Sequence, residues 1–209
     1  MAITYPLDFL DLFSGWSTEF DPLHRQEQSR QANGRTLVKD LGSPLWRTTF
    51  QSRSMAPNEL DGWRARLSTL EDGLQEFRAW PKSRCYPIAY PRGIGMGTVA
   101  GAQVDTINAN RKAIGISGLS AGYRLSVGDY LRIGTADLHR VVEARVANAS
   151  GVATQFEVRP HLWPLAAVGQ PVSLVKPYCL MTAVPGSITT TADAATGRGV
   201  ISFQAIESR

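Results

Sequence analysis

The sequence predicts a mainly β protein with one amphipathic α-helix, and three observations carry that expectation. Glycine and proline, 19 and 12 residues, punctuate the chain too often for a succession of long helices. The second half is a run of short segments in which polar and apolar residues alternate, the period of a half-buried strand. Helical spacing occurs in one place: Leu60, Trp63, Leu67, Leu70 and Leu74 recur at intervals of three and four, which predicts a helix over 57–74 with an apolar stripe facing the core. Asn58 or Ser54 is expected to cap its start, Gly73 to weaken its last turn, and Pro81 to stop any continuation.

The elements follow in order. Residues 1–16 are apolar but broken by Pro6, Asp8 and Asp11, which predicts an extended arm with one short helical turn. In 23–41, Asn33-Gly34 sits between partly alternating stretches and predicts a hairpin with a tight type I′ turn. The β-formers of "LWRTTFQSRS" predict a strand over 45–54. Residues 81–111, rich in glycine and proline, predict a long loop. Strands are then expected in "KAIGISGL", "YRLSVGDYLRIG", "LHRVVEARV", "TQFEVRPHL", "GQPVSLV", "YCLMT" and "GVISFQAIES". The stretch 127–164 reads as a three-stranded meander, with Pro160 and Pro164 marking the exit of its last strand at a sheet edge.

No motif states a reaction. "GIGMG" lacks the Gly-Lys-Ser/Thr ending of a phosphate-binding loop and the strand and helix that would frame one. Gly115-Ile116-Ser117-Gly118 has the wrong spacing for a nucleophile elbow. The carboxylate pairs Glu59/Asp61 and Glu71/Asp72 sit on or near the helix, where solvated surface or compensation of the helix dipole explains them. His24, His139 and His161 lie in separate segments without ligand spacing, and His139 reads as a half-exposed strand residue. Cys85 and Cys179 are far apart and read as free thiols. The expectation is therefore no catalytic, cofactor-binding or metal site.

Composition narrows the class further. An apolar share of 43% with 19% charged residues belongs to an ordinary soluble globular protein. The chain carries 22 Lys and Arg against 18 Asp and Glu, a net charge of +4, but the cations are scattered among acids. A nucleic-acid footprint clusters them on one face, so no nucleic-acid specificity is expected. The N-terminus lacks the basic start and unbroken apolar core of a signal peptide, and no run reaches membrane-spanning length, so no membrane anchor is expected. Open strand edges and an arm are managed in assemblies by pairing with a neighbour, and the tryptophans at 16, 46, 63, 80 and 163 suit interfaces as well as cores.

Four segments in this order, "LWRTTFQSRSMAPNELDGWRARLSTLEDGLQEFRAW", "LSVGDYLRIGTADLHRVVEARVANASGVATQFEVRPHLWP", "GQPVSLVKPYCLMTAV" and "RGVISFQAIES", resemble tail-tip proteins of long-tailed bacteriophages, of the distal tail protein type. The likeness covers roughly residues 45–207 and rests on the order of its pieces. It implies a non-enzymatic virion protein at the distal end of the tail, made in the host cytoplasm. Such a protein forms a closed ring, six-fold most often, and joins the tail tube protein to the hub, baseplate and receptor-binding parts. It further implies a β-sandwich or barrel-like ring-forming domain, residues 1–100 with 178–209, and an inserted β-meander module, 112–177, separated by the loop 81–111. The alternatives are a module that binds a host-surface glycan or protein, marked by an exposed cluster of Trp163, Tyr123 and Tyr130, and a cell-wall hydrolase, for which Glu143 and His139 would be the residues to test.

Overall fold

The computed structural model describes residues 3–209; the start of the expected arm lies outside them. The chain is mainly β. Its elements are β1 (Gly15–Leu23), β2 (Gln26–Arg30), β3 (Thr36–Asp40), β4 (Leu45–Ser52), α1 (Pro57–Ser68), β5 (Glu76–Ala79), β6 (Gln103–Ile107), β7 (Ala113–Ser117), β8 (Arg124–Leu125), β9 (Tyr130–Ile133), β10 (Asp137–Val141), β11 (Arg145–Val146), β12 (Ala153–Arg159), β13 (Val172–Ser173), β14 (Cys179–Ala183), β15 (Thr189–Ala192) and β16 (Gly199–Glu207).

The first sheet has the order β1-β4-β16-β14-β5, all antiparallel, with β15 pairing β16 beyond the end of β14. Strict alternation in β16 sends Gly199, Ile201, Phe203, Ala205 and Glu207 inward, while β4 buries Trp46, Thr48, Phe50 and Ser52. The rings of Phe50 and Phe203 stack with centroids 5.1 Å apart. Helix α1 lies on this face through Leu60, Trp63 and Leu67. Close approach needs Gly199, because a Cβ there would lie 2.9 Å from Leu60 Cδ2 and 2.2 Å from the Thr191 carbonyl oxygen. The arm packs on its own chain: Leu7 bridges the outer edge of β5, and Phe9, Leu10 and Phe13 are buried against Trp63, Phe77 and Phe203.

A second core, built around Ile114, Ile116, Leu131, Ile133, Val141, Phe156 and Val158, fills a second sheet of order β13-β9-β10-β12-β7-β6. This sheet closes on itself. Val104 N donates to the Gln170 carbonyl, and Gly169 N and Val172 N donate to the carbonyls of Val104 and Ala102, joining β6 to the chain entering β13. Closure removes the outer sheet edges that an open sheet would present. The barrel is inserted between neighbours of the first sheet, since Ala79 on β5 pairs directly with Cys179 on β14.

Four expectations change. The helix ends at Ser68, because Glu71, Asp72 and Gly73 take positive φ in a 3₁₀ turn that brings Gly73 against the Ala183 carbonyl. Leu70 stays buried but Leu74, read as the end of the stripe, is 79% exposed. Its start is preceded by Ala56 with no side-chain cap, and Pro57 occupies the first turn where a missing N–H costs nothing. The stretch 81–111 includes β6, whose partners lie far along the chain. Pro160 ends β12 as expected, but β12 lies between β10 and β7 rather than at an edge. The hairpin is present, but of its turn residues only Gly34 has positive φ; Gly34 N donates to Gln31 and Gln31 N to Arg35, making a longer turn than type I′.

The rest of 81–102 is clamped to the barrel by a buried carboxylate. Asp129 accepts from Ile88 N and Ser126 N, both at 2.7 Å, and burial raises its pKa despite those bonds. Tyr90 packs on Tyr123 at 4.8 Å and its hydroxyl accepts from Arg124 N. Two outcomes are expected. Trp63→Ala should cost about 3–5 kcal/mol in denaturant unfolding, and a loss under about 1 kcal/mol would place the indole outside the core. Asp129→Ala leaves two part-buried N–H groups without their acceptor and should lower stability by about 1–3 kcal/mol. Limited proteolysis should then cut first within 81–102.

Candidate assembly surface and the junction of the two cores

The hairpin β2–β3 stands apart from both cores. Each strand pairs only with the other, and every residue of both is exposed. It prolongs the β1–β4 ribbon past Leu23↔Leu45, with Leu41 N donating to Arg25 O. From Arg25 to the turn at Asn33 it extends about 26 Å at roughly 3.3 Å per residue. It exposes Leu37, Val38 and Leu41, and its charges are Arg25, Arg30, Arg35 and Lys39 against Glu27 and Asp40. An isolated pair of strands with no covered face is marginal in water.

The two cores meet at Trp46. Its backbone N–H donates to Glu207 Oε2 at 3.0 Å, and its indole N–H donates to the Leu138 carbonyl on β10 at 2.7 Å. Phe20 and Tyr130 pack on the ring at 5.5 and 5.7 Å, and Tyr130 OH donates to the Phe20 carbonyl. Arg209 completes the junction, pairing with Glu207 and Asp137 at 2.8 Å each while its guanidinium lies 3.9 Å from the centre of the Trp163 ring. Arg140 reaches Asp21 at 3.0 Å across the same boundary.

His139 is not the half-exposed residue expected from its strand. It is fully buried, because β10 has the first core on one face and the barrel interior on the other. Its Nδ1 lies 2.9 Å from the Pro160 carbonyl, an acceptor, so Nδ1 carries the proton and Nε2 has no partner. Burial pushes its pKa down to about 4. The aromatic cluster that would mark a binding groove is not assembled: Tyr123 belongs to the barrel core, Tyr130 to the first core, and Trp163 lies under Arg209. Glu143 is on the surface, paired with Arg145 and accepting from Glu157 N. Cys85 and Cys179 are both free, and burial raises the Cys179 thiol well above its ordinary range.

Among the described residues no group of three or more His, Cys, Asp or Glu side chains is placed to hold a metal ion, and no helix is long and apolar enough to cross a membrane. No protein-family model matches the sequence, and no curated protein matches it. The hairpin was legible from Asn33-Gly34; the junction was not, since its residues lie in five separate segments.

The buried imidazole gives a signed pH dependence. The unfolded chain takes up a proton near pH 6.5, whereas folded His139 does so only near 4, so its contribution is complete above pH 6.5 and is lost as pH falls toward 4. The full loss is about 3 kcal/mol. Glu207, raised by burial, acts with the opposite sign, as does Asp129. Both are shared by a His139→Gln variant, so the difference between the two unfolding profiles from pH 7 to 4 isolates His139. The parent should lose stability relative to the variant by about 3 kcal/mol over that window; parallel profiles would show that the imidazole is not buried neutral.

Proposed function

We propose that this chain is a structural, non-enzymatic component of the tail tip of a long-tailed bacteriophage, assembling with copies of itself into a closed ring that joins the tail tube to the hub and receptor-binding parts. The fully exposed hairpin carries the reading. An exposed ribbon with no covered face, prolonging the first sheet, suits a protein whose neighbour covers it. The likeness of residues 45–207 to distal tail proteins supplies the setting, and a mainly β chain with a helix packed on one sheet agrees with it.

The ring is heterologous in this reading: the hairpin of one copy meets a different surface on the next, and the rotation closes, six-fold most simply. A tail tip joins its neighbours by area, and the tube and hub proteins are the partners at its two faces. The competing reading, a module for a host-surface glycan, draws on one feature, a groove beside β8 and β11 where Arg124, Arg145, Asn148 and Thr154 stand among Leu125, Val146 and Val152.

Native mass spectrometry of the purified chain, followed by negative-stain imaging, tests the reading. A closed oligomer, hexamer expected, seen as a ring with a central channel, supports it. A chain that remains monomeric up to several hundred micromolar counts against self-assembly and moves the glycan reading forward.

A further inference from the structure

We infer that the receiving surface for the hairpin is the open edge of β15 and the adjoining groove at the end of α1 on a second copy of this chain. The inference rests on the self-assembly reading above. Strand edges are the natural acceptors for an exposed ribbon, because an added strand satisfies a row of backbone groups at once. Among the described residues the other edges are filled or blunted. The outer side of β5 holds the arm at Leu7, and β1 carries a bulge between Thr18 and Asp21, has its Phe20 carbonyl taken by Tyr130, and is flanked by Lys82, whose N–H donates to the Ser17 hydroxyl. The barrel closes through residues 169–172, and β8 and β11 have two residues each.

β15 pairs β16 alone, and its sequence Thr-Thr-Thr-Ala suits an edge strand that is to be covered, with β-branched side chains and no charge or proline to deter pairing. Beside it lies a groove of about 500 Å³ lined by Arg64, Leu67, Glu71, Asp72, Ile188 and Thr190. Half-buried Ile188 offers apolar surface there, above the buried Leu67, and Leu74 stands exposed just beyond the 3₁₀ turn. The charges are complementary. The hairpin has four cations to two anions, whereas the groove presents Glu71 and Asp72 with Arg64, whose guanidinium is already paired with Asp61 at 3.5 Å. β2 is the strand that adds to β15; Leu37 and Val38 on the adjoining β3 point to opposite faces of the ribbon, so one of them lies on the groove side.

The test is intermolecular disulfide formation in the full chain with Cys85→Ser, leaving only the buried Cys179. Four double variants combine Gln28→Cys or Ser29→Cys, on opposite faces of β2, with Thr190→Cys or Thr191→Cys on β15; a control pairs Ser29→Cys with Thr154→Cys on the barrel. At the concentration where the parent's native mass is recorded, at least one matched pair should form a ladder of linked chains at least tenfold faster than the control. A ring by native mass with no ladder in any matched pair, or with an equal ladder in the control, overturns this interface and leaves self-assembly standing. A monomeric parent with no ladder overturns both.

Discussion

One hydrogen bond holds the two halves of this molecule in register: the indole N–H of Trp46 to the carbonyl of Leu138. Trp46 is central to the first core and has its own backbone N–H fixed by Glu207 at the end of β16. Through Leu138 it grips β10, and through contact with Tyr130 it grips β9, two strands that also wall the barrel. A β-strand buried on both faces has no side left for solvent, which is why His139, placed where alternation would otherwise give a half-exposed residue, is neutral and carries an unpartnered nitrogen. The pH response of the protein thus follows from how the barrel sits on the first sheet.

The topology makes that seating necessary. Ala79 and Cys179 are paired neighbours in one sheet, so the barrel leaves and returns at a single point. Two chain crossings side by side act as a hinge unless other contacts fix the angle. Here Trp46, Arg140 and Arg209 supply contacts at the barrel strands, and Asp129 ties the connecting segment 81–102 to the barrel wall. Arg209 makes two ion pairs and stacks on Trp163, and its guanidinium is mostly shielded; a planar, permanently charged group suits that combination where an ammonium would satisfy only one part.

Much of this was legible in the sequence wherever structure is set locally. The stripe Leu60, Trp63, Leu67 and Leu70, the strict alternation of β16, and Asn33-Gly34 each specify an element by its own residues. The failures share one cause, which is information held by distant partners. "QVDTI" in β6 sits among glycines and becomes a strand because residues 113–117 and 170–172 flank it. Leu74 continues the stripe on paper, but the backbone of Gly73 must approach Ala183, and that contact turns the helix off at Ser68. Tyr123 and Tyr130 look alike in sequence and belong to different cores, a distinction only the fold makes.

Edges then explain what the chain leaves uncovered. An antiparallel β protein must dispose of every unpaired strand edge or accept pairing with whatever meets it. This chain closes one sheet into a barrel, lays its arm along β5, and bulges β1. Against that background, leaving β2, β3 and β15 open is not residual. In the proposed assembly the charges of the hairpin suppress indiscriminate pairing, and its excess of cations favours an acidic acceptor over a second hairpin. A ribbon that cannot stack on its own kind and a short uncharged edge beside two carboxylates are unlike surfaces. In the proposed assembly, unlike surfaces on one subunit propagate around a ring where the rotation closes and along a filament where it does not, whereas a self-complementary patch would stop at a dimer.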